Sequence, residues 1–580
     1  MDRPPSAAID PRRIGKALLF VAAACLLAAH LLALSRENVN WDEFALLSRA
    51  QESLATGRLV GDGRPGLGTL VLIPFVRGCT NAVDAVVAAR SLWALFLLAY
   101  AGGLFVLVRQ AARGAASRPS TGAVLAVALV ALVPTFQRWG LQVRTDQPAL
   151  ALGLWGGVAL LASARRPVWA LATGAAWGVG FLFSQKVVYP ALLSSLLALS
   201  CQLRAGPLLA RREASRAALL VAAAGACVLA FRAATSGPAA GGTLGVESSL
   251  GSNAFYGTFG YRTYLGMLNL LVPHLLLLLL LVAATAASLA RTRRLPAQLW
   301  LGWAVVAAGA AVVVLHGSRF PYFWMTLGLF PAVAAGLTLE RLLEPLPVRL
   351  RGLVLPVTFV LLLLKAGPAA LEVTRDTQAH QREALEFVGR NFDATARGFH
   401  PERALLCRAD PKPFQIYFSE AILRRFVGPR GEEQLQAFVG EFRSRPVRFI
   451  VESYRLDQFP DPVLRFWEEA YAFYAASVAV PGRRIDGARG ERLRFEAVVD
   501  GPFRLHLPPG SAADHVLVDG APLRDGGSVQ LARGAHTLQL VGAVRGGLLA
   551  LALEEPPDLS RVAPFYHPDA VREMRGQLRW

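Results

Sequence analysis

Charge is scarce in this chain. Only 17% of its 580 residues are Asp, Glu, Lys or Arg, against 54% hydrophobic, and the mean hydropathy is +0.41. A soluble domain of this composition would be unusual. Cysteine is scarce too, with five residues: Cys25, Cys79, Cys201, Cys227 and Cys407. Three of them sit inside apolar runs, where the thiol behaves as a small hydrophobe. No Cys pair has metal-ligand spacing and no His/Cys cluster is present, so nothing marks a zinc site. No glycine-rich loop follows a strand, which argues against a phosphate-loop ATPase. No basic stripe is interleaved with aromatics, so the formal charge of +19 does not indicate nucleic acid as a partner.

What the chain has is long apolar runs. About eleven stretches approach the 20 or so mainly apolar residues that a spanning helix needs. They lie near 14–34, 82–108, 121–138, 147–163, 168–183, 187–203, 216–234, 264–290, 297–315, 320–340 and 352–370. The first is preceded by Arg12 and Arg13, is long for a signal peptide, and reads as an uncleaved anchor. With the N-terminus in the cytoplasm, every cytoplasmic connection carries arginine: Arg109, Arg113 and Arg118; Arg165 and Arg166; Arg204, Arg211, Arg212 and Arg216; Arg291, Arg293 and Arg294; Arg341, Arg349 and Arg351. That regularity follows the positive-inside rule. An odd number of spans places the C-terminal region outside.

The expected fold is therefore a polytopic α-helical membrane protein of about eleven transmembrane helices in the plasma (inner) membrane, with a C-terminal extracytoplasmic region. Its expected parts are residues 1–370 in the membrane, an α/β part at 371–488 and a β-sandwich-like part at 489–580. In the α/β part, 382–391, 434–442 and 463–474 read as helices, and 404–407 and 447–451 as strands. Beyond it, 493–499, 503–507, 515–518, 528–531, 536–540 and 548–553 read as strands, with Asp519-Gly520 as a hairpin turn. Cys79 and Cys407 fall on the same side of the membrane, which permits a disulfide without requiring one.

The same alternation sends the unusual polar residues to the outer face: Asp42 and Glu43, Arg144 and Asp146, Gln185 and Lys186, His316 and Arg319. Charges at span ends are costly unless they line a cavity. Each has a structural alternative. Asn40 with Glu43 fits a capping box, which leaves Asp42 unaccounted for. Asp146, ahead of Pro148, suits a helix N-cap. Lys and Arg at span ends commonly snorkel to the headgroups, and His316 reads equally as a polar residue closing a span. The functional reading makes Asp42 a general base, with Glu43 and His316 available to join it on a divalent cation. Residues 43–56 read as an amphipathic helix at the interface, with Gly57 as its C-cap. The Gly- and Ser-rich, then aromatic, segment at 235–262 reads as a mobile lid or as an interfacial aromatic belt.

Asn40-Trp41-Asp42-Glu43, a short helix, and Arg64-Pro65-Gly66-Leu67-Gly68 ahead of an apolar run resemble the first outer loop of GT-C membrane glycosyltransferases. The similarity is to the family that includes protein O-mannosyltransferases and lipid A aminoarabinose transferases. That family often has Pro-Pro-Leu where this chain has Pro65-Gly66-Leu67. Arg144-Thr145-Asp146-Gln147-Pro148 resembles its second acidic motif, 180–186 its Gly-rich span ending in Lys, and Arg319-Phe320-Pro321-Tyr322 with Pro331 its late Arg–Tyr–Pro segment. The resemblance implies a polyprenyl-phosphate sugar donor, a membrane lipid, and an acceptor lipid, glycan or protein at the outer face. It implies catalytic roles for Asp42, Glu43 and Asp146, and donor-phosphate binding by Arg144, Lys186 and Arg319. Two readings of other classes stand beside it. One is a transporter or flippase of lipid-linked sugars, which charges around a midplane cavity and internal repeats would favour. The other is an envelope protein anchored by its membrane part, for which so many spans are more than anchoring needs.

Overall fold

The computed structural model describes residues 11–59, 66–113, 119–131, 140–205, 210–235, 272–315, 324–343, 377–401, 403–408, 431–456, 459–559 and 564–566, with isolated residues between 347 and 375. Helices lie at each expected apolar stretch from the first to 320–340, with two more in the loop between the first stretch and the second. They are α1 Pro11–Ala33, α2 Trp41–Thr56, α3 Leu67–Val76, α4 Ala82–Ala111, α5 Pro119–Ala131, α6 Asp146–Ser163, α7 Trp169–Phe183, α8 Val188–Ala205, α9 Ala210–Thr235, α10 Val272–Thr292, α11 Ala297–Leu315 and α12 Leu329–Leu343. Among the described residues two helical stretches, Ala82–Ala111 and Ala214–Phe231, are long and apolar enough to cross a membrane, and several shorter apolar helices accompany them. The expected number of about eleven spans is not confirmed by the described helices.

The bundle is apolar on both sides. Inside, Leu104, Leu154, Leu197 and Phe330 are fully or nearly fully buried together. Outside, Phe20 is 67% and Trp300 63% exposed, and Leu95, Leu229 and Leu279 also point outward. Exposed apolar surface on this scale marks a face that another apolar phase or partner covers. α5 and α12 meet backbone to backbone at glycine: a Cβ on Gly122 would stand 1.9 Å from the Gly336 carbonyl oxygen.

The C-terminal region carries α13 Ala379–Asn391, α14 Gly431–Ser444, α15 Asp461–Ala470 and eleven strands in two sheets. The strands are β1 Gly398–Phe399, β2 Phe449–Val451, β3 Tyr471–Ala475, β4 Val478–Gly487, β5 Arg492–Ala497, β6 Gly501–His506, β7 His515–Val518, β8 Ala521–Arg524, β9 Ser528–Leu531, β10 Gly534–Leu540 and β11 Val544–Leu551. One sheet has the order β1-β2-β4-β11-β6-β9 with β3 also on β4, and the other β5-β10-β7-β8. β1 pairs with β2 in parallel, and the other pairings are antiparallel. Phe495 and Phe503, both fully buried, pack edge-to-face at 5.3 Å and join the sheets. The Asp519-Gly520 turn links β7 to β8 with both residues at positive φ, the conformation that two-residue hairpins favour.

Several local expectations change. Residues 404–407 are turns, not a strand; Arg403 is left-handed and Cys407 is bonded to Cys79, so the segment bends instead of pairing. The helix expected at 463–474 stops at Ala470, because Tyr471–Ala475 pairs with β4. β4 was not anticipated, since Pro481-Gly482 reads as a break and its first half is buried throughout, without alternation. It pairs with β11, so strands on either side of residue 488 share one sheet.

α2 is also differently placed. It starts and stops as its sequence dictates, with a complete Asn40–Glu43 capping box and Gly57 in the left-handed conformation. Its apolar face does not lie on a membrane surface. Phe44, Leu47 and Ala50 are fully buried in one core with α3, the start of α4 and the C-terminal residues Phe387, Phe449 and Phe565. Cys79 and Cys407, 328 residues apart, form a disulfide across the same junction.

Candidate functional site

Three short segments meet at the end of the bundle that faces the C-terminal region. They are the start of α2, the loop 140–145 before α6, and the break between α7 and α8. Asp42 lies in the first turn of α2, where two carboxylates suit the helix dipole. Asp146 opens α6. At the end of α7, Ser184 is extended; its hydroxyl accepts from the Lys186 backbone N–H and caps the 3₁₀ turn Gln185–Val187. Gly68 at the start of α3 lets the backbone approach this centre, since a Cβ there would stand 2.8 Å from Thr145 Cγ2.

The polar groups form two ion pairs linked through Arg144 and Asp146, two residues apart. Arg144 pairs with Asp42 Oδ2 at 2.8 Å, and the Asp42 side chain remains 24% exposed. Arg144 Nε also donates to Gln142 Oε1 at 3.0 Å. Lys186 Nζ pairs with Asp146 Oδ2 at 2.5 Å, and Ser184 Oγ donates to Asp146 Oδ1 at 3.0 Å. Asp42, Arg144, Asp146 and Lys186, expected separately along 144 residues of sequence, are thus assembled. His316 and Arg319 lie outside the described residues, as does the aromatic loop from residue 236 on.

Glu43 has a different place from the one expected. It is fully buried and accepts four hydrogen bonds: from Arg90 Nε at 2.8 Å, Arg90 Nη2 at 2.6 Å, the Asn40 N–H at 2.9 Å and the Val143 N–H at 2.8 Å. Four donors use the lone pairs a carboxylate offers. Glu43 therefore has no capacity left to act as a catalytic carboxylate or to share a cation with Asp42 and His316. Among the described residues, no group of three or more His, Cys, Asp or Glu is placed to hold a metal ion.

Arg90 is the group that the sequence reading missed. It sits 1% exposed within α4 and, besides Glu43, donates to the carbonyls of Leu34, Glu37 and Asn38 at 3.1, 2.8 and 2.8 Å. A single arginine inside a long apolar run was the available signal. Its partners lie 47 to 56 residues away in sequence, where no local pattern reaches. Trp93, one turn further along α4, donates from Nε1 to the Arg144 carbonyl at 2.6 Å. α4 thus holds the Asp42 and Arg144 segments against each other, through Glu43 for one and Trp93 for the other.

No family model and no curated protein sequence matches this chain. Among solved structures it is similar to ArnT from Cupriavidus metallidurans in the apo state, at 16% identity and a TM-score of 0.49, over 81% of this chain and 98% of that one. It is also similar to the oligosaccharyltransferase of Archaeoglobus fulgidus, solved with Zn and sulfate, at 11% identity and a TM-score of 0.40, over 93% and 98% of the two chains. The chemistry of the site lies in its side chains.

Those side chains offer one partly exposed carboxylate, Asp42, next to a guanidinium, with an ammonium close by. Asp146 is committed on both oxygens, and it orients Lys186. The site can therefore take a proton at Asp42 and meet an anion with Arg144 and Lys186.

Proposed function

We propose that the chain is an integral-membrane glycosyltransferase of the GT-C type. It moves a sugar from a polyprenyl-phosphate donor to an acceptor hydroxyl or amine at the outer face. The observation that carries this reading is the Asp42–Arg144 pair joined through residues 144–146 to the Asp146–Lys186 pair, a base on one cation with a second cation held on the adjoining acid. The acceptor attacks the anomeric carbon and gives its proton to Asp42. The bond from that carbon to the phosphate oxygen breaks, and its electron pair leaves with the polyprenyl phosphate. An incoming phosphate competes with Asp42 for Arg144, which frees the carboxylate to accept the proton as the leaving group gains its partner. Stabilisation of developing charge by pre-placed cations contributes several kcal/mol, and Arg319 is proposed to add a third. A single displacement of this kind needs one base and no nucleophile from the protein, and it inverts the anomeric carbon.

The membrane setting is supported by the outward Phe20, Leu95, Leu279 and Trp300 side chains, which lipid would cover. A disulfide between residues 79 and 407 fits an oxidising compartment, in agreement with a cytoplasmic N-terminus and an outer C-terminal region. Divided at 370 and 488, the chain comprises a membrane part and two outer parts that act together through the shared sheet.

The test uses protein in lipid with a panel of radiolabelled polyprenyl-phosphate sugars, following release of free polyprenyl phosphate by wild type and by Asp42→Asn. Wild-type release that falls by about a hundredfold or more in the variant, with donor still bound, is expected for loss of a general base. Movement of a lipid-linked sugar across the bilayer without cleavage, insensitive to Asp42→Asn, would overturn the proposal in favour of a transporter.

A further inference from the structure

The segment that leads into Asp42 is held by the C-terminal region as well as by α4. Gln381 on α13 is fully buried and reads the main chain of Val39 in both directions. Its Oε1 accepts from the Val39 N–H at 2.8 Å, and its Nε2 donates to the Val39 carbonyl at 3.0 Å. It does what a neighbouring strand would do for one residue of extended chain. Around it, Thr377 Oγ1 accepts from the Asn38 N–H at 2.9 Å and Gln378 Nε2 donates to the Glu37 carbonyl at 3.1 Å. That carbonyl also takes Arg90 from the other side. Just past the strap, the guanidinium of Arg455 lies 4.6 Å from the ring centroid of Trp41, the first residue of α2.

We propose that Gln381 is a positioning residue for the transfer reaction: through Val39 it sets the start of α2, and so the distance between Asp42 and Arg144. The inference rests on the glycosyl-transfer reading and adds to it a task for the C-terminal region, which builds one wall of the catalytic loop. A strap clamped from both sides leaves Asn40 little freedom to shift. Asp42 follows Asn40 by two residues, and the Asn40 side chain accepts from the Asp42 N–H at 3.0 Å. Removing the Gln381 amide leaves the Val39 N–H and carbonyl buried without that partner. The strap then relaxes, and the base moves from the acceptor. A displacement of about 1 Å at a reacting group can cost about a hundredfold in rate.

Gln381→Leu keeps the bulk and removes both hydrogen bonds. Gln381→Glu keeps the acceptor, but as a carboxylate it sets an oxygen against the Val39 carbonyl; once protonated it restores both bonds. Donor cleavage is measured for wild type and both variants in lipid, with amide exchange over residues 36–42 on the same samples. The expected result for Gln381→Leu is a turnover lower by about 10- to 100-fold, a donor KM within about threefold of wild type, and faster exchange in the strap. Gln381→Glu is expected to regain turnover as the pH falls, relative to wild type. A Gln381→Leu turnover within about twofold of wild type, or unchanged exchange, overturns the inference, whatever reaction the protein performs. If Gln381→Leu does not accumulate folded, the Gln381→Glu profile decides alone, and one that parallels wild type overturns it. A wild type that cleaves no donor overturns the transfer reading, and with it the catalytic part of this inference.

Discussion

Asp42 and Glu43 are neighbours with the same functional group, and the structure predicts opposite consequences for neutralising them. Glu43→Gln removes the negative charge beside a fully buried guanidinium. It also turns one end of the group into a donor, facing Arg90 and the backbone N–H groups that now donate to Glu43 at 2.6–2.9 Å. Breaking a buried pair from one side leaves an uncompensated charge and costs about 3–5 kcal/mol. Asp42→Asn keeps an oxygen for Arg144 in a pair whose acid is 24% exposed. Arg144, with its side chain 8% exposed, keeps that oxygen as well as its bond to Gln142, so less is lost than where Glu43 is neutralised. Melting of the purified protein in detergent, with both variants in parallel, distinguishes the two. Glu43→Gln is expected to melt several degrees lower and to lose activity through loss of structure. Asp42→Asn is expected to melt close to wild type and to lose activity through chemistry. Equal melting temperatures for Glu43→Gln and wild type, or an Asp42→Asn shift as large as that of Glu43→Gln, would refute the division of roles.

Two further outcomes follow from the junction with the C-terminal region. Replacing Cys79 and Cys407 together by serine is expected to lower stability by about 2–4 kcal/mol, and a reductant should lower wild-type melting to the same point; wild type indifferent to reductant would show that the bond is not formed. Burial pushes the His400 imidazole down to about 3, where it packs against Phe44 and Phe565. The unfolded chain binds this proton near pH 6.5 and the folded chain does not, so the His400 contribution is intact above pH 6.5. It is lost as the pH falls towards 3, by about 1.4 kcal/mol per unit. His400→Phe should flatten melting against pH between 7 and 4, and an unchanged slope would count against the buried neutral ring.

Much of the candidate site was legible in the sequence, because charges at the ends of apolar runs are costly and few. Asp42, Arg144, Asp146 and Lys186 stand out on that ground alone, and the structure brings them together. The Asn40–Glu43 box was legible as a cap, and the cap is present. What that reading left open was the second task of Glu43. The choice between a structural and a catalytic carboxylate depends on who donates to it, and its donors come from Arg90 and Val143, distant in sequence. The strand β4 escaped for a related reason. Alternation reports a strand with one face in water, and the first half of β4 is buried at every residue while β2 and β3 pair along it.

The sequence by itself determined where the helices lie, which end of each carries charge, and that the chain turns from apolar helices to a sheet region after about residue 370. Those properties are local, set by the spacing of apolar residues, caps and breakers along a few turns of chain. Only the tertiary structure decided that α2 is buried against the C-terminal region, that Arg90 and Glu43 neutralise each other, and that Gln381 grips Val39 across 342 residues. A buried polar group must find a partner wherever the fold puts one, and the identity of that partner is a fact about three-dimensional proximity that spacing along the chain does not encode.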